Sequence, residues 1–371
     1  MPPHVRAPRV GHTYVFCGGY LQTSKDAPWV VLIALGFLLA GPACWLAWES
    51  PYLCQAVSVA PVVLVAYFWL NAIAAMLRTA FTDPGVLPRG IGTGPDLGPP
   101  ARPGPFHIDT PTEEIKDREE ALERIDDGGC PILGTVTTVQ RRWCTTCHLY
   151  RPPRCSHCRS CDHCVDALDH HCVFLNTCIG RRNYTTFYAF LCHMMALVFT
   201  ILAGTICKLY YLAAPTRNEQ ARDDQQTGFV HALQWSPQSA VFFGVALVWL
   251  VPTAFLWVYH TWLLLHNRST VEQIRLETSN QLYDMQREPD AWMQRSCVLA
   301  CARFGARVRN IFVAPEYATP LPTADAQAPR ARRTRSPFEH KSLLQNAWQV
   351  LGRPVPVSYV AGAAASRFAA P

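Results

Sequence analysis

The sequence predicts an α-helical, polytopic membrane protein in which four transmembrane helices carry a cytosolic Cys-rich domain between helices 2 and 3. Three observations support this fold class. Half of the 371 residues are hydrophobic and only 16% are charged. Four apolar stretches reach the ~20 residues that a membrane-spanning helix needs. Eight of the 16 cysteines lie between Cys144 and Cys178.

The four stretches are apolar on all sides, whereas buried helices of soluble proteins are usually shorter and amphipathic. We therefore interpret them as transmembrane spans, which cover residues 29–48, 51–77, 183–207 and 235–265. The first 28 residues are polar, and the first span lacks a small-residue cleavage site. We expect no signal peptide for this reason.

The distribution of Lys and Arg predicts the orientation of the spans. Residues 78–182 contain 13 of these side chains and the tail after residue 265 contains 14, against 3 before the first span and 3 after the third. The positive-inside rule then places both termini and the central connection in the cytosol. This compartment is reducing, so metal binding explains the clustered cysteines better than disulfides. The net charge of +6 suits anionic membrane surfaces and indicates no nucleic-acid partner.

These features divide the chain into six segments. In the 78–139 segment, TPTEEIKDREEALERID predicts a solvated helix or a linker, and residues 314–335 are expected to be disordered. The segments are a cytosolic N-terminal segment (1–28), transmembrane helices 1 and 2 (29–77), a cytosolic connector that is Pro/Gly-rich and then acidic (78–139), a Cys-rich domain (140–184), transmembrane helices 3 and 4 with a lumenal loop (185–265) and a partly disordered cytosolic C-terminal region (266–371).

Metal-ligating residue types recur at a fixed spacing in the Cys-rich domain. Intervals of 3, 10 and 7 residues separate the members of two interleaved sets, each with three cysteines and one histidine. Tetrahedral zinc requires four N or S donors, and a CxxC pair supplies two thiolates from one turn. We predict two structural zinc ions bound by an internal duplication, with another partition of the ligands as the alternative. The sets are Cys144, Cys147, His157 and Cys164, and Cys158, Cys161, His171 and Cys178.

Two cysteines of the domain remain outside this repeat. Cys155 is interpreted as a spare thiol, whereas Cys172 follows Asp169 and His170. An imidazole can accept a thiol proton when a carboxylate fixes its tautomer, so these three residues form a candidate nucleophilic site. The alternative is that Asp169 and His170 only support the metal ligands through hydrogen bonds. Cys172 lies about ten residues before the third span, which predicts a lipidic substrate at the cytosolic membrane face.

Motifs on both sides of this site resemble those of the DHHC family of protein S-acyltransferases. Asp83-Pro84-Gly85 resembles the family's DPG motif, and Ser269-Thr270-Val271-Glu272 resembles its TTxE motif with Ser in place of the first Thr. SPFEHKSLLQNAWQVLG resembles its C-terminal packing motif, for which Asn346 and Trp348 are candidates. Val173-Phe174 departs from the usual Pro-Trp after the active cysteine, keeping the apolar character but altering the surroundings of acyl-chain entry.

The resemblance implies ping-pong acyl transfer from palmitoyl-CoA. Cys172 would form the acyl-enzyme thioester, with His170 as general base and Asp169 as its orienting partner, and the family pattern assigns His171 to zinc. Arg151 and Arg154 are candidates for binding the CoA phosphates, since Arg suits phosphate recognition. Their alternative role is to set membrane topology.

Within the family, two stretches resemble the catalytic subunits of fungal Ras palmitoyltransferases. They are FCGGYLQTSKD before the first span and RPPRCSHC in the Cys-rich domain. This resemblance implies Ras-like protein substrates, a small accessory subunit and the endoplasmic reticulum membrane, with the Golgi membrane as the alternative.

Two other classes of function compete with acyl transfer. A membrane-anchored, RING-like zinc module for protein binding also uses eight ligands, but it spaces them as four close pairs and needs no spare thiol such as Cys172. A zinc-dependent transporter or sensor would need ionisable residues inside the spans. These spans contain little of that kind beyond His193 and His260, which we expect to be interfacial or hydrogen-bonded.

Overall fold

A computed structural model describes residues 11–89, 143–152, 154–214, 228–287, 342–352 and 354–355. The acidic helix predicted in the connector and the disorder predicted for residues 314–335 lie outside the described residues, as do residues 215–227 of the predicted lumenal loop.

Four long helices dominate the described part of the chain. They are α1 (Pro28–Ala56), α2 (Ala60–Phe81), α3 (Tyr184–Ala213) and α5 (Pro237–Leu265), and a short helix α4 (Phe229–Trp235) precedes α5. Each long helix is apolar and long enough to cross a membrane. Large apolar side chains such as Leu32, Val63 and Val248 are exposed on the bundle. A lipid-facing surface has this character, and the predicted fold class is confirmed.

The boundary between the first two helices differs from the prediction. α1 continues through Glu49 and Pro51, and the chain turns at residues 57–59 instead of 49–50. The physical reason is that Glu49 is fully buried within the bundle. Its carboxylate lies 3.3 Å from Lys208 Nζ and accepts a hydrogen bond of 2.9 Å from Ser239. A charged side chain that pairs in this way can occupy a spanning helix.

Helix α3 is the centre of the bundle, since it packs most extensively against α2 and α5. α1 joins it through Trp45, whose indole lies directly on Gly204. A Cβ atom at Gly204 would come within 2.6 Å of Trp45 Cζ2, so only glycine allows this approach. The indole Nε1 of Trp45 also donates to Thr205 Oγ1 (2.9 Å), which satisfies the buried N–H group.

Short antiparallel hairpins lie at the end of the bundle where α1 and α3 begin and where α2 and α5 end. An N-terminal hairpin pairs β1 (Thr13–Phe16) with β2 (Leu21–Ser24). Three hairpins form the Cys-rich domain, and they pair β3 (Trp143–Cys144) with β4 (Leu149–Tyr150), β5 (Ser156–Cys158) with β6 (His163–Val165), and β7 (His170–Cys172) with β8 (Thr177–Ile179).

The Asp83-Pro84-Gly85 turn joins the end of α2 to the Cys-rich domain. Asp83 Oδ1 accepts hydrogen bonds from the backbone N–H groups of Gly85 (2.9 Å) and Val86 (3.0 Å). Gly85 has a φ of +108°, which favours glycine, and its carbonyl accepts from Asp166 N (2.8 Å). Val86 then forms an isolated bridge with Val165 of β6. This motif therefore docks the chain leaving the bundle onto the second hairpin of the domain.

Two C-terminal helices complete the described structure, α6 (Thr270–Arg287) and α7 (Leu343–Leu351). Asn346 of α7 is fully buried, and its Nδ2 donates to the Leu265 carbonyl at the end of α5 (2.9 Å). The predicted docking role holds for Asn346 but is wrong for Trp348, which is 72% exposed. The reason is helical geometry, because Ala347 and Val350 occupy the packed face beside Asn346.

Candidate active site and metal centres

The structure gathers the eight predicted metal-ligating residues into two clusters. In each cluster the four ligand atoms lie within 4.8 Å of one another. The partition follows the 3-10-7 repeat, and the alternative partition is not observed. The first cluster is Cys144, Cys147, His157 and Cys164, and the second is Cys158, Cys161, His171 and Cys178.

Strand pairing explains how each cluster forms. β5 and β6 place His157 opposite Cys164, and β7 and β8 place His171 opposite Cys178. In both clusters the histidine turns its Nδ1 towards the sulfur atoms. His157 Nδ1 lies 3.4 to 3.9 Å from the sulfur atoms of its cluster, and His171 Nδ1 lies 3.3 to 3.7 Å from those of its own.

The donor chemistry of both clusters fits a structural metal ion. Three thiols and one imidazole nitrogen form a donor set that zinc binds as a closed tetrahedron. Hydrogen bonds from the neighbouring Cys147 and Cys164 hold the pKa of Cys144 far below its usual value. Cys161 and Cys178 lower the pKa of Cys158 in the same way. Each cluster thus favours at least one thiolate, the form that binds metal.

Cys155, the predicted spare thiol, is buried against the first cluster, next to Cys144, Cys147 and Cys164. The repeat supplies four ligands without it.

Asp169 and His170 form a buried hydrogen-bonded pair beside the second cluster. The imidazole Nδ1 of His170 donates to Asp169 Oδ2 at 2.7 Å. The carboxylate also accepts from the backbone N–H of Thr270 (2.8 Å) and from its hydroxyl (2.8 Å), at the start of α6. Asp169 therefore has three donors, and α6 fixes its orientation.

Burial alone would raise the pKa of Asp169, but the hydrogen bond from His170 and the donors from Thr270 help to lower it to about 2. Burial would likewise lower the pKa of His170. The hydrogen bond to Asp169 and the nearby Cys172 sulfur outweigh this effect and raise the pKa to about 10. Both shifts favour an ionised carboxylate paired with an imidazolium.

Cys172 lies where the Cys-rich domain meets the bundle. Its half-buried side chain packs against the apolar core that contains Ile179 and Phe187. The next two residues, Val173 and Phe174, remain 41% and 51% exposed. The thiol thus has an apolar core on one side and exposed apolar side chains beside it, the surroundings that an acyl chain favours.

His260 of α5 is a further member of this site. Three possible ligand atoms, one each from His260, Asp169 and His170, lie within 4.8 Å of one another. Its ring centroid is 5.7 Å from that of His170 and 4.9 Å from that of Phe187. Nδ1 lies 3.3 Å from the Tyr184 hydroxyl. The sequence predicted a hydrogen-bonded or interfacial histidine but not the contact with His170. The one signal for this contact was that His260 lies ten residues before Thr270, which binds Asp169.

The two arginines predicted to bind CoA phosphates lie next to other groups of the protein. Arg154 Nε and Nη2 bind the carboxylate of Glu272 at 2.8 and 2.9 Å, and its Nη1 donates to Asn267 (2.9 Å). Burial alone would lower the pKa of Arg151, but the nearby Cys144 sulfur raises it. Glu272 in turn forms a capping box with Ser269, because it accepts from Ser269 N (2.9 Å) while its own N–H donates to Ser269 Oγ (3.3 Å). These contacts join the Cys-rich domain to the start of α6.

The described part of the chain thus combines four helices able to span a membrane, two Cys/His metal-binding clusters and an Asp-His pair beside Cys172. Residues 137–277 match the DHHC palmitoyltransferase family, which confirms the predicted resemblance for this part of the chain. The chain is similar to palmitoyltransferase erf2 of Emericella nidulans, with 33% identity over 71% of this chain and 41% of the relative.

Similarity also extends to animal proteins. Palmitoyltransferase ZDHHC18-A of Danio rerio is 28% identical over 86% of this chain and 64% of the relative. Palmitoyltransferase ZDHHC14 of Homo sapiens is 29% identical over 85% of this chain and 60% of the relative. The chain spans between 41% and 64% of the length of these three relatives.

Proposed function

We propose that this protein is a protein S-acyltransferase that moves a palmitoyl group from palmitoyl-CoA to cysteines of cytosolic or membrane-associated proteins. One observation carries the proposal, the hydrogen-bonded series from Thr270 through Asp169 to His170, which lies two residues before Cys172 on strand β7. The side chain of Cys172 packs against the apolar core of the membrane bundle. The names of the similar proteins support the same activity.

In the first half-reaction, the thiolate of Cys172 attacks the thioester carbonyl of palmitoyl-CoA. The new bond joins Cys172 Sγ to the acyl carbon, and the bond between that carbon and the CoA sulfur breaks. His170 holds the proton of Cys172 as an imidazolium and can return it to the leaving CoA thiolate. Asp169 stabilises this imidazolium, because its carboxylate stays ionised while hydrogen-bonded to Thr270 and His170.

In the second half-reaction, a cysteine of the protein substrate replaces CoA. His170 accepts the proton of the incoming thiol, whose sulfur attacks the acyl carbon. Cys172 then leaves as a thiolate and regains its contact with His170. Because one residue serves as acid and as base in turn, both half-reactions use the same hydrogen-bonded pair.

Two zinc ions are the structural metals that we propose for the clusters. Cys144, Cys147, His157 and Cys164 would hold one ion, and Cys158, Cys161, His171 and Cys178 would hold the other. Ions bound in closed sites of this kind contribute folding free energy. Bound zinc would fix the backbone of β7, and therefore the position of Cys172 relative to His170.

The finer assignments rest on the sequence resemblance and on charge. We propose Ras-like proteins as the substrates and a small accessory subunit as a partner. Both termini would lie in the cytosol, and the membrane would be that of the endoplasmic reticulum or of the Golgi. Arg151 and Arg154 stay candidates for CoA binding, although Arg151 lies near Cys144 and Arg154 binds Glu272. Tagged termini tested for protease protection in sealed microsomes would check the orientation, and protected termini would contradict it.

The decisive experiment incubates the purified full-length protein with labelled palmitoyl-CoA and then with neutral hydroxylamine, which cleaves thioesters. We expect a hydroxylamine-labile label on the wild-type chain and none on Cys172→Ser, with zinc content near two per chain in both. Label retained by Cys172→Ser would overturn the assignment.

A RING-like binding module without acyl transfer is the alternative. The observed pair of Asp169 and His170 beside a thiol outside both clusters does not favour it. Such a module would bind zinc but would acquire no label in the same experiment.

A further inference from the structure

The two ligand histidines share a feature that the 3-10-7 repeat does not predict. Each turns Nδ1 towards its sulfur atoms and faces a carboxylate with its other nitrogen. His157 Nε2 lies 3.7 Å from Asp162 Oδ1, and His171 Nε2 lies 3.7 Å from Asp26 Oδ2. A carboxylate behind a metal-binding histidine fixes the ring and increases its basicity. Asp26 thus has the same place at the second cluster that Asp162 has at the first.

The two carboxylates come from different parts of the chain. Asp162 lies five residues after His157, inside the Cys-rich domain, whereas Asp26 lies 145 residues before His171. Among the described residues, the buried Nε2 of His171 has no hydrogen-bond partner. Asp26 is the carboxylate that faces it, and 3.7 Å is an ion-pair distance longer than a direct hydrogen bond.

Residues 11–27, here named the N-terminal clasp, bring Asp26 to this position. One end of the clasp binds the second cluster itself, because His12 N donates to the Cys161 carbonyl (2.8 Å). Gly11 lies so close that a Cβ atom there would come 2.4 Å from the Cys161 carbonyl oxygen. The hydroxyl of Ser24, which is fully buried, accepts a hydrogen bond from Asp26 N (3.1 Å).

The other end of the clasp binds the turn that follows Cys172. Asn176 lies in that turn with a φ of +47°. Its side-chain oxygen accepts from Ala27 N (2.9 Å), and its Nδ2 donates to the Ser24 carbonyl (2.6 Å). Its own carbonyl accepts from Ser24 N (2.8 Å) and from the Thr23 hydroxyl (3.2 Å). Four hydrogen bonds thus fix a turn whose backbone conformation is rare for an L-residue.

We propose that the N-terminal clasp is a structural part of the second metal site and of the active-site turn, with Asp26 and Ser24 as positioning residues. Asp26 acts through the ring of His171, and Ser24 acts through its hydrogen bonds with Asp26 and Asn176. The metal-binding part of this inference depends only on the cluster geometry. The coupling to Cys172 rests on the proposed acyl transfer.

The test compares Asp26→Asn with Asp162→Asn in the full-length protein. Both changes remove a carboxylate charge at the same distance from a ligand histidine. Asp162 also binds Arg89 (2.8 Å), so the two variants are compared by which metal ion responds and not by the size of the response. With ¹¹³Cd in place of zinc, we expect Asp26→Asn to shift one of the two NMR resonances and Asp162→Asn to shift the other. A shift of the same resonance in both variants, or none in Asp26→Asn, overturns the metal-binding part.

The rate of zinc release to a chromophoric chelator measures how strongly the clasp stabilises the bound ion. Asp26→Asn should accelerate the loss of one of the two ions by about 10- to 100-fold, and Asp26→Glu should restore slow release, since a carboxylate remains. Ser24→Ala, which removes the hydroxyl that accepts from Asp26 N, should accelerate release of the same ion. Wild-type release rates in both Asp26→Asn and Ser24→Ala would contradict the inference.

Acyl-enzyme formation distinguishes this inference from the proposed function. We expect Asp26→Asn to slow it by about 10-fold. Tyr20→Phe, at a clasp residue that is 71% exposed, should change it by less than about 2-fold. Altered zinc release with an unchanged acylation rate would overturn the coupling to Cys172 alone. A wild-type chain that never acquires the acyl group would refute the proposed function, while the zinc and ¹¹³Cd results would still decide the role of the clasp.

Discussion

The hairpins β5–β6 and β7–β8 are two copies of one unit with different chemistry. Both pair a histidine with a cysteine across the strands, as His157 with Cys164 and His171 with Cys178. In both, a cysteine follows the histidine. Cys158 of the first copy is buried and joins the second metal cluster, whereas Cys172 of the second copy is half-buried and joins no cluster.

The two residues before each ligand histidine explain the difference. The first copy has Cys155 and Ser156, and the second has Asp169 and His170. Helix α6 contacts both copies at this point. Arg275 donates to Ser156 Oγ (2.9 Å), while Thr270 donates to Asp169. The same scaffold therefore places a cysteine in a metal cluster in one copy and, in the other, a cysteine outside both clusters that follows an Asp-His pair.

The largest effect should come from removing, one at a time, the two cysteines that follow the ligand histidines. Cys172→Ala should abolish acyl-enzyme formation and retain both zinc ions, because the residue binds no metal. Cys158→Ala should release zinc and unfold the Cys-rich domain, since it removes a ligand on which folding depends. Labelled palmitoyl-CoA and zinc analysis of both proteins measure the two outcomes.

Cys155→Ala is the control for these changes, because Cys155 is a buried cysteine of the same domain outside both ligand sets. It should retain the label and both ions. Equal zinc loss from Cys158→Ala and Cys172→Ala would contradict the division of roles between the copies.

The second prediction replaces His170 of the second copy with serine, the residue at the equivalent position, Ser156, of the first copy. His170→Ser should slow acyl-enzyme formation by about 10²- to 10⁴-fold, the usual contribution of a general acid-base residue. Ser156→Ala is the matched control in the other copy and should leave the rate within about twofold. Single-turnover labelling measures both rates, and a His170→Ser rate close to wild type would show that Cys172 needs no imidazole.

Contacts between residues that are close along the chain can be predicted from the sequence, whereas contacts between distant segments cannot. The 3-10-7 spacing predicts both clusters because CxxC turns and short hairpins act locally. The spans follow from hydropathy for the same reason. Asp26 and His260 were missed because they reach the site from distant segments, and no local spacing records such a contact. The boundary of α1 was wrong because Glu49 pairs with Lys208, 159 residues further along the chain.

The third prediction, with a smaller effect, tests how much the hydrogen bond from Thr270 of α6 to Asp169 contributes. Thr270→Val removes the hydroxyl donor to Asp169 but keeps the backbone N–H donor. A hydrogen bond to a charged group contributes about 1.5–3 kcal/mol, so acyl-enzyme formation should slow by about 10- to 100-fold. Arg275→Gln, which weakens the equivalent contact in the first copy, should change the rate by less than about twofold. A larger loss from Arg275→Gln than from Thr270→Val would reverse the comparison.

The smallest effect concerns stability as a function of pH. The folded-state pKa of His170 is raised to about 10, against an unfolded value of about 6.5. A raised pKa means that protonation favours the folded state. The contribution of His170 should thus be complete below pH ~6.5 and should be lost progressively as the pH rises towards ~10. Asp169 does not change over this range, because its pKa is lowered to about 2.

The difference in melting temperature between wild type and His170→Gln, measured at pH 6 and at pH 9.5, checks this expectation. We expect the difference to be larger at pH 6, because the imidazolium then interacts fully with the Asp169 carboxylate. Ser156→Ala is the control, since a serine does not titrate in this range and its difference from wild type should be the same at both pH values. A difference for His170→Gln that stays constant or grows at pH 9.5 would mean that His170 is neutral in the folded protein. The thiol of Cys172 would then face a neutral base instead of an imidazolium.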